Sequence, residues 1–226
     1  MNNVAKFVTD KLGHCPKDLD LFERALTHSS LGRDSYERLE FLGDRVLGLV
    51  IGRWLYERFP AEPEGQLSRR YNVLVARETC AEIGRELGLP ALIRLGKQAR
   101  EDNASNSENV IGDVVEALLG ALLLDGGVDV ADAFVRRAWA PHLDRQDGAP
   151  VHPKSSLQEL AAARRLATPV YEIVARSGRQ HAPRFTVRVA IKNAGDATAD
   201  GSSKREAETA AAMALLSQLS NFNRLA

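Results

Sequence analysis

Cysteines are few in this sequence, and long apolar runs are missing. The two cysteines, Cys15 and Cys80, lie far apart and show no Cys-x-x-Cys or Cys/His ligand spacing, which argues against a zinc site and a disulfide framework. No apolar run is long enough to span a bilayer, and the N-terminal segment is charged and amphipathic rather than signal-like. We therefore expect a soluble, cytoplasmic protein with reduced thiols and no membrane partner.

A net charge is also lacking, because 30 Lys and Arg residues match 30 Asp and Glu residues. The balance is uneven along the chain. Residues 1–153 contain 19 basic and 24 acidic side chains, whereas residues 154–226 contain 11 and 6, so the two parts carry net charges of −5 and +5. An acidic part joined to a basic part suggests two separate tasks.

Helical periodicity dominates residues 1–143, where apolar residues recur at spacings of three and four. This pattern predicts an all-α domain. The predicted helical segments are 22–30, 37–48, 67–88, 110–127 and 130–143. Residues 101–109 are polar and have no apolar stripe, so we expect a mobile loop there.

The periodicity changes after residues 144–153, where prolines and a glycine predict a flexible linker. Residues 154–226 then follow helical and strand patterns in turn. The predicted elements are a helix at 155–166, strands at 169–178 and 184–193, a short third strand at 197–201, and a helix at 203–219. This order predicts a small α-β-β-β-α domain.

Three carboxylates share one face of the second predicted helix. Glu37, Glu40 and Asp44 fall within about 60° of one another on a helical wheel. An exposed helix face normally mixes acidic and basic residues at spacings of three and four. Here only Glu37 has such a base, Arg33, so most of this acidic charge is unpaired within the helix.

A later helix repeats the pattern with Asp113 and Glu116, and small residues beside both sets of acids predict close helix packing. These small residues are Gly43, Gly48, Ala117 and Gly120. Like charges about 4 Å apart repel by roughly 4 kcal/mol at an effective dielectric constant of about 20, so the acids need a cation or raised pKa values. An oxygen-only ligand set favours Mg²⁺ or Mn²⁺ and suits phosphodiester hydrolysis. Alternatively, Asp113 and Glu116 only favour a helix N-terminus, and the other acids are solvated.

The basic part has anion-binding groups at the start of its last helix. Ser203 and Glu206 form a Ser-x-x-Glu capping box, which places Lys204 and Arg205 beside unpaired backbone N–H groups. Alternatively, Lys204 and Arg205 lie at the helix start without binding an anion. A helix, a loop and a basic helix start on one edge would match the minor grooves and intervening phosphates of duplex RNA. Polar residues on the preceding helix and the first strand turn that could join this edge are Gln158, Glu159, Arg179, His181 and Arg184.

At these motifs the sequence resembles the bacterial ribonuclease III family. The segments similar to its nuclease domain are ALTHSS (25–30), ERLEFLGD (37–44), EGQLSRRYNVLVARETCAEIGRELGL (64–89) and DVVEALLGALLLDGG (113–127). The segments PKSSLQELAA, GRQHAPRF and GSSKREAE resemble a double-stranded-RNA-binding domain. The resemblance implies an all-α endonuclease and dimerisation domain at 1–143, a linker at 144–153, and an α-β-β-β-α double-stranded-RNA-binding domain at 154–226.

The resemblance also implies an activity. It implies a homodimeric endoribonuclease that processes rRNA and mRNA, uses Mg²⁺ (or Mn²⁺ as a substitute), and hydrolyses double-stranded RNA to 5′-phosphate and 3′-hydroxyl ends with a short 3′ overhang. The implied metal ligands are Glu40, Asp44, Asp113 and Glu116, of which Asp44 and Glu116 are also the implied catalytic acids. The other implied site residues are the accessory acids Glu37 and Glu64, the dimer contact Phe41, and the RNA-binding residues Gln158, Glu159, His181, Ser203, Lys204 and Arg205.

Four positions depart from the family pattern. Arg45 replaces a usually small residue and could supply a phosphate contact or counter-charge, Gly112 stands where alanine is common, and Gln98 and Ala199 stand where glycine is frequent. All four implied metal ligands are present. Their presence favours an enzyme over two alternatives, a catalytically silent duplex-RNA-binding protein with a dimerising nuclease-like domain and an α-helical dimerisation protein with an unrelated basic appendix.

Overall fold

The chain forms two compact units in a computed structural model, Met1–Pro150 and Val151–Ala226. The structure describes residues 3–32, 34–146, 148–150, 153–179 and 182–222. The division falls within the predicted linker at 144–153, and the exact domain boundaries stay a prediction. None of the helices in these ranges combines the length and the apolar character that crossing a membrane requires.

The first unit is helical, as predicted. Its α-helices are α1 (Asn3–Phe7), α2 (Leu19–Ala25), α3 (Glu37–Arg58), α4 (Glu64–Leu74), α5 (Arg77–Leu87), α6 (Lys97–Glu101), α7 (Glu108–Gly126) and α8 (Val128–Asp144). The most apolar of them, α7, is buried on most of its circumference and packs against α2, α3, α5 and α8. Trp139, Phe22 and Phe134 are the largest side chains buried in the surrounding core.

The prediction of one helix over 67–88 is wrong, because the chain breaks between α4 and α5. Ala76 has an extended backbone conformation. The indole N–H of Trp139 donates to the carbonyl oxygen of Leu74 (2.8 Å), and the hydroxyl of Thr79 donates to that of Val73 (2.7 Å). These donors satisfy carbonyl groups at the end of α4 that a continuous helix would have paired internally.

Residues 101–109 also differ from the predicted loop. Glu101 ends α6, Ala104–Asn106 form a 3₁₀ turn, and α7 begins at Glu108. Asn103 takes a left-handed conformation (φ 57°) that asparagine tolerates better than most residues, and its side chain accepts a hydrogen bond from Asn106 (2.7 Å). The polar composition therefore encodes a specific turn.

The second unit has the predicted α-β-β-β-α order, including the short third strand. Its elements are α9 (Pro153–Ala163), β1 (Val170–Arg179), β2 (Ala182–Ile191), β3 (Gly195–Gly201) and α10 (Lys204–Phe222). The antiparallel sheet has the order β1-β2-β3, with a register shift between Ile173 and Ala175. A core that includes Leu157, Val189 and Leu215 joins both helices to the sheet.

Candidate functional site

Two glycines allow α3 and α7 to meet backbone to backbone. A Cβ atom on Gly43 would lie 1.6 Å from the carbonyl oxygen of Glu116, and a Cβ atom on Gly120 would lie 2.3 Å from that of Leu39. Only glycine fits at either position. The predicted close packing is therefore confirmed, and it brings the acids of α3 beside those of α7.

Four carboxylates interact across this helix pair. Glu40, Asp113 and Glu116 are partly buried, whereas Asp44 is exposed. Burial, reinforced by the charges of Asp44, Glu40 and Asp113, raises the pKa of Glu116 to about 7. Burial and the charge of Asp113 likewise raise the pKa of Glu40, and burial raises the pKa of Asp113. The fold thus assembles the four acids that the sequence placed on separate helices.

Tyr36 is a site residue that the sequence did not reveal. Its hydroxyl donates a hydrogen bond to Oδ2 of Asp113 (3.2 Å), and its ring is buried. Burial and the nearby charge of Asp113 raise the pKa of the Tyr36 phenol, so it stays a protonated donor. The contact joins residues 77 positions apart in the chain, which no local pattern indicates.

Arg45 connects Asp44 to Phe41. Its Nη1 atom donates to Oδ2 of Asp44 (2.9 Å) and to the carbonyl oxygen of Phe41 (3.0 Å). The guanidinium carbon lies 3.9 Å from the centre of the Phe41 ring, within cation–π distance. Arg45 therefore acts as a counter-charge for Asp44, one of the two roles that the sequence left open for it.

A second cation, Arg77, approaches the acids from α5. Its positive charge lowers the pKa of Glu40, Asp113 and Glu116, opposing the larger effect of burial. Its Nη1 atom donates to Oδ1 of Asn109 (3.0 Å). Sequence spacing missed Arg77 because this arginine belongs to a different helix from the acids.

The two accessory acids have different positions. Glu37 accepts a hydrogen bond from the hydroxyl of Ser35 (3.3 Å), and its charge helps to raise the pKa of Glu40. Glu64 lies at the start of α4, where it accepts a hydrogen bond from Ser68 (2.6 Å); among the described residues its charge is not one of those that shift the pKa values of Glu40, Asp113 and Glu116. The structure thus joins Glu37, but not Glu64, to the acid cluster.

The fit of the cluster to a divalent cation depends on its donor chemistry. Within the described ranges, no group of three or more His, Cys, Asp or Glu side chains is arranged to hold a metal ion. The pairing of Asp44 with Arg45 and of Asp113 with Tyr36 turns two of the carboxylates toward other partners. Carboxylate oxygens still suit Mg²⁺, which keeps several waters and needs one or two protein carboxylates together with substrate phosphates.

The start of α10 in the second unit contains the predicted capping box. The backbone N–H of Glu206 donates to the hydroxyl of Ser203 (3.2 Å), and the Glu206 carboxylate accepts from the backbone N–H of Ser202 (2.7 Å). A Cβ atom on Gly201 would lie 2.4 Å from the Ala207 nitrogen, so glycine is required here. Ala199, which stands where glycine is frequent, lies within β3 opposite Val187, so the strand forms with alanine at this position.

Cations and polar groups gather at one end of the helix pair α9 and α10. Glu208 pairs with Lys154 of α9 (2.6 Å) and with Lys204 of α10 (3.8 Å), so the first turns of the two helices are neighbours. The predicted RNA-binding residues Gln158, Glu159, Ser203, Lys204 and Arg205 are all exposed. His181, the predicted loop contact, lies outside the described residues.

Comparison with known proteins agrees with the sequence resemblance. A family model described as Ribonuclease-III-like matches residues 18–143, and one described as Double-stranded RNA binding motif matches residues 153–219. The chain belongs to the ribonuclease III family. Ribonuclease 3 of Zymomonas mobilis is 57% identical over 218 residues, covering 96% of this chain and 89% of the relative. Ribonuclease 3 of Dinoroseobacter shibae is 44% identical over 213 residues, covering 93% of each.

Solved structures of the ribonuclease III family resemble the first unit. A crystal structure of the nuclease domain of ribonuclease III from Campylobacter jejuni is 32% identical with a TM-score of 0.59, covering 63% of this chain and 97% of that domain. A second structure from the same organism, described for flexibility in a region involved in dimer formation, is 33% identical with a TM-score of 0.57 and covers 59% of this chain and 94% of that domain.

Two departures from the ribonuclease III pattern lie at the acid cluster. Arg45 is bonded to Asp44, and Gly112 precedes Asp113 on α7. A Cβ atom at Gly112 would lie 3.3 Å from Cγ of Arg77. One departure, Arg45, is thus itself a cation bonded to a cluster carboxylate, and the other, Gly112, packs against the Arg77 side chain.

Proposed function

We propose that this protein is a divalent-metal-dependent endoribonuclease that hydrolyses phosphodiesters of double-stranded RNA. The observation that carries the proposal is the group of four interacting carboxylates on α3 and α7, whose helix backbones touch at Gly43 and Gly120. Membership of the ribonuclease III family and the attached double-stranded RNA binding motif support the same activity.

Mg²⁺ is the cofactor we propose, with Mn²⁺ as a substitute, and the proposed ligands are Glu40, Asp44, Asp113 and Glu116. The cation would neutralise acids whose pKa values are raised and would stabilise the negative charge that develops on the phosphate during hydrolysis. Asp44 and Glu116 are proposed to act directly at the reacting phosphate. Tyr36 would hold the carboxylate of Asp113 in place, and Glu37 and Glu64 are proposed accessory acids.

The second unit is proposed to hold the duplex. Gln158 and Glu159 would meet the minor groove, and Lys204 and Arg205, beside the Ser203 cap, would meet phosphates across the major groove. His181 remains a proposed contact of the first strand turn. These groups suit the shape of duplex RNA rather than its base sequence.

A homodimer completes the proposal. One carboxylate cluster can cut one strand, so cutting both strands needs the clusters of two subunits. Phe41, a 63% exposed residue, borders a groove of about 710 Å³ that is also lined by Leu42 and Leu124, and it is the proposed dimer contact. Cleavage would leave 5′-phosphate and 3′-hydroxyl ends with a short 3′ overhang. Because the relatives are bacterial and bacterial transcripts are cytoplasmic, we propose rRNA and mRNA processing in the cytoplasm.

The proposal is tested by cleavage of a labelled RNA duplex and its single strand in Mg²⁺, Ca²⁺ or chelator. We expect cutting of the duplex alone, dependent on Mg²⁺, and abolished by Glu116→Gln or Asp44→Asn while duplex binding is retained. Full activity of either variant would overturn the site assignment. Binding without cleavage would favour the alternative, a catalytically silent RNA-binding protein.

A further inference from the structure

Arg77 is an exposed cation at the first position of α5, next to the acid cluster. Asn109 is its hydrogen-bond partner in the described part of the chain, and the bond uses one N–H of Nη1 (3.0 Å). Among the same residues Arg77 forms no ion pair, whereas Arg85 on the same helix pairs with Glu108 (3.6 Å). A neutral amide therefore fixes the direction of the guanidinium and leaves its charge and most of its donors available.

The position of Arg77 is set by α7. Asn109 and Asp113 are four residues apart, so they share a face of that helix. The Arg77 side chain lies across the helix at Gly112, because a Cβ atom there would stand 3.3 Å from Arg77 Cγ and 3.5 Å from its carbonyl oxygen. Glycine at this position thus gives room to a cation directed toward the acids. The effect of Arg77 on the pKa values of Glu40 and Asp113 agrees with this placement.

The acid cluster needs a cation with free N–H donors beside it in order to bind a negatively charged substrate. A phosphodiester that approaches several carboxylates is repelled by them, and an arginine fork offers both opposite charge and paired donors to phosphate oxygens. Arg45 is less suited to this role because Asp44 already takes one of its donors and balances its charge. Arg77, by contrast, has the neutral Asn109 as its partner, so no bond to an acid balances its charge in the described part of the chain.

We propose that Arg77 is a substrate-binding residue that holds a phosphate of the RNA strand at the cleavage site, aimed by Asn109 and accommodated by Gly112. This inference rests on the proposed function. It adds a phosphate contact in the nuclease unit to those of the second unit, and it makes α5 part of the substrate-binding surface.

The test measures duplex RNA binding by full-length protein as a function of salt, with Glu116→Gln in every variant to prevent cleavage. Adding Arg77→Gln should weaken binding about fivefold to tenfold and lower the slope of log affinity against log salt by about one unit, because one phosphate contact is lost. Arg77→Lys should keep most of that slope. Arg85→Gln, about two turns further along α5, removes the same charge and should change neither quantity.

The outcomes separate this inference from the proposed function. If the Glu116→Gln parent does not bind duplex RNA, both fail. If the parent binds and Arg77→Gln binds with the same affinity and salt slope, only the inference is overturned, and Arg77 is then a structural or metal-tuning residue. In the cleaving enzyme, Arg77→Gln should lower kcat/KM at least tenfold without changing the melting temperature, whereas a purely structural role would lower both.

Discussion

At the scale of single residues, the folded protein disfavours the charged form of Glu116. Its side chain has a pKa of about 7 in the folded protein, because burial and three neighbouring acids disfavour ionisation. The unfolded chain has an ordinary glutamate with a pKa near 4.5. Between these values the folded state binds the proton more tightly, so the stability of the metal-free protein should fall as the pH rises through this window.

Glu116→Gln should therefore stabilise the metal-free protein at pH 8 by about 1–2 kcal/mol and have little effect at pH 5. The complete pKa difference would correspond to about 3 kcal/mol, which we reduce because solvent reaches part of the side chain. Urea unfolding in chelator at both pH values measures the effect. Glu86→Gln is the control, because it removes an exposed carboxylate from a different helix, α5. It should change the free energy of unfolding by the same amount at pH 5 and at pH 8. An equal effect of Glu116→Gln at both pH values would contradict the raised pKa.

At the scale of secondary-structure elements, the site depends on the contact between α3 and α7. The contact is possible because glycine occupies the crossing positions, where a Cβ atom would overlap the opposite backbone. Backbone cannot yield as a flexible side chain does, so a larger residue must separate the helices. Such a separation would also move Glu40 and Asp44 away from Glu116.

Gly43→Ala should consequently destabilise the protein by roughly 3 kcal/mol or more and reduce cleavage more than RNA binding. Gly52→Ala is the matched control on the same helix, because a Cβ atom there meets open space and alanine favours the helix by about 0.5–1 kcal/mol. Chemical unfolding and cleavage assays report the two effects. Equal stability of the two variants would exclude the close helix contact.

Sequence periodicity predicted the helices and strands whose pattern is local. It failed where the local structure depends on a residue far away in the chain. The faces of Glu40 and Asp44 on α3 follow from local spacing, as do the three strands of the second unit. The break between α4 and α5 does not follow from local spacing. The Leu74 carbonyl at the end of α4 is satisfied by the indole N–H of Trp139, which lies 65 residues later in the chain. Tyr36 and Arg77 escaped prediction for the same reason, since each meets the acids only after α3, α5 and α7 have packed.

At the scale of the whole molecule, Phe41 on α3 is an exposed aromatic residue that a second subunit would bury. The Phe41 ring is covered in part by Arg45 and borders a groove in the same unit, an arrangement that two copies could complete reciprocally about a twofold axis. Phe41→Ala should weaken the dimer at least tenfold in sedimentation experiments, since buried aromatic anchors dominate interfaces. Val170→Ala removes a similarly exposed apolar side chain from the second unit (67% against 63%) and should leave association unchanged. A monomeric parent protein would refute this interface.

The dimer and the carboxylate cluster together predict how strand cleavage divides between subunits. Each chain supplies one set of Glu40, Asp44, Asp113 and Glu116, so a dimer with one Glu116→Gln subunit has one competent set. Such mixed dimers, isolated through two different affinity tags, should cut one strand of each duplex and leave the other intact. Labelling the two strands separately distinguishes nicks from double-strand breaks, and dimers with two unmodified subunits carrying the same tags should give breaks. Breaks from the mixed dimers, at a rate that exceeds subunit exchange, would mean that one cluster serves both strands.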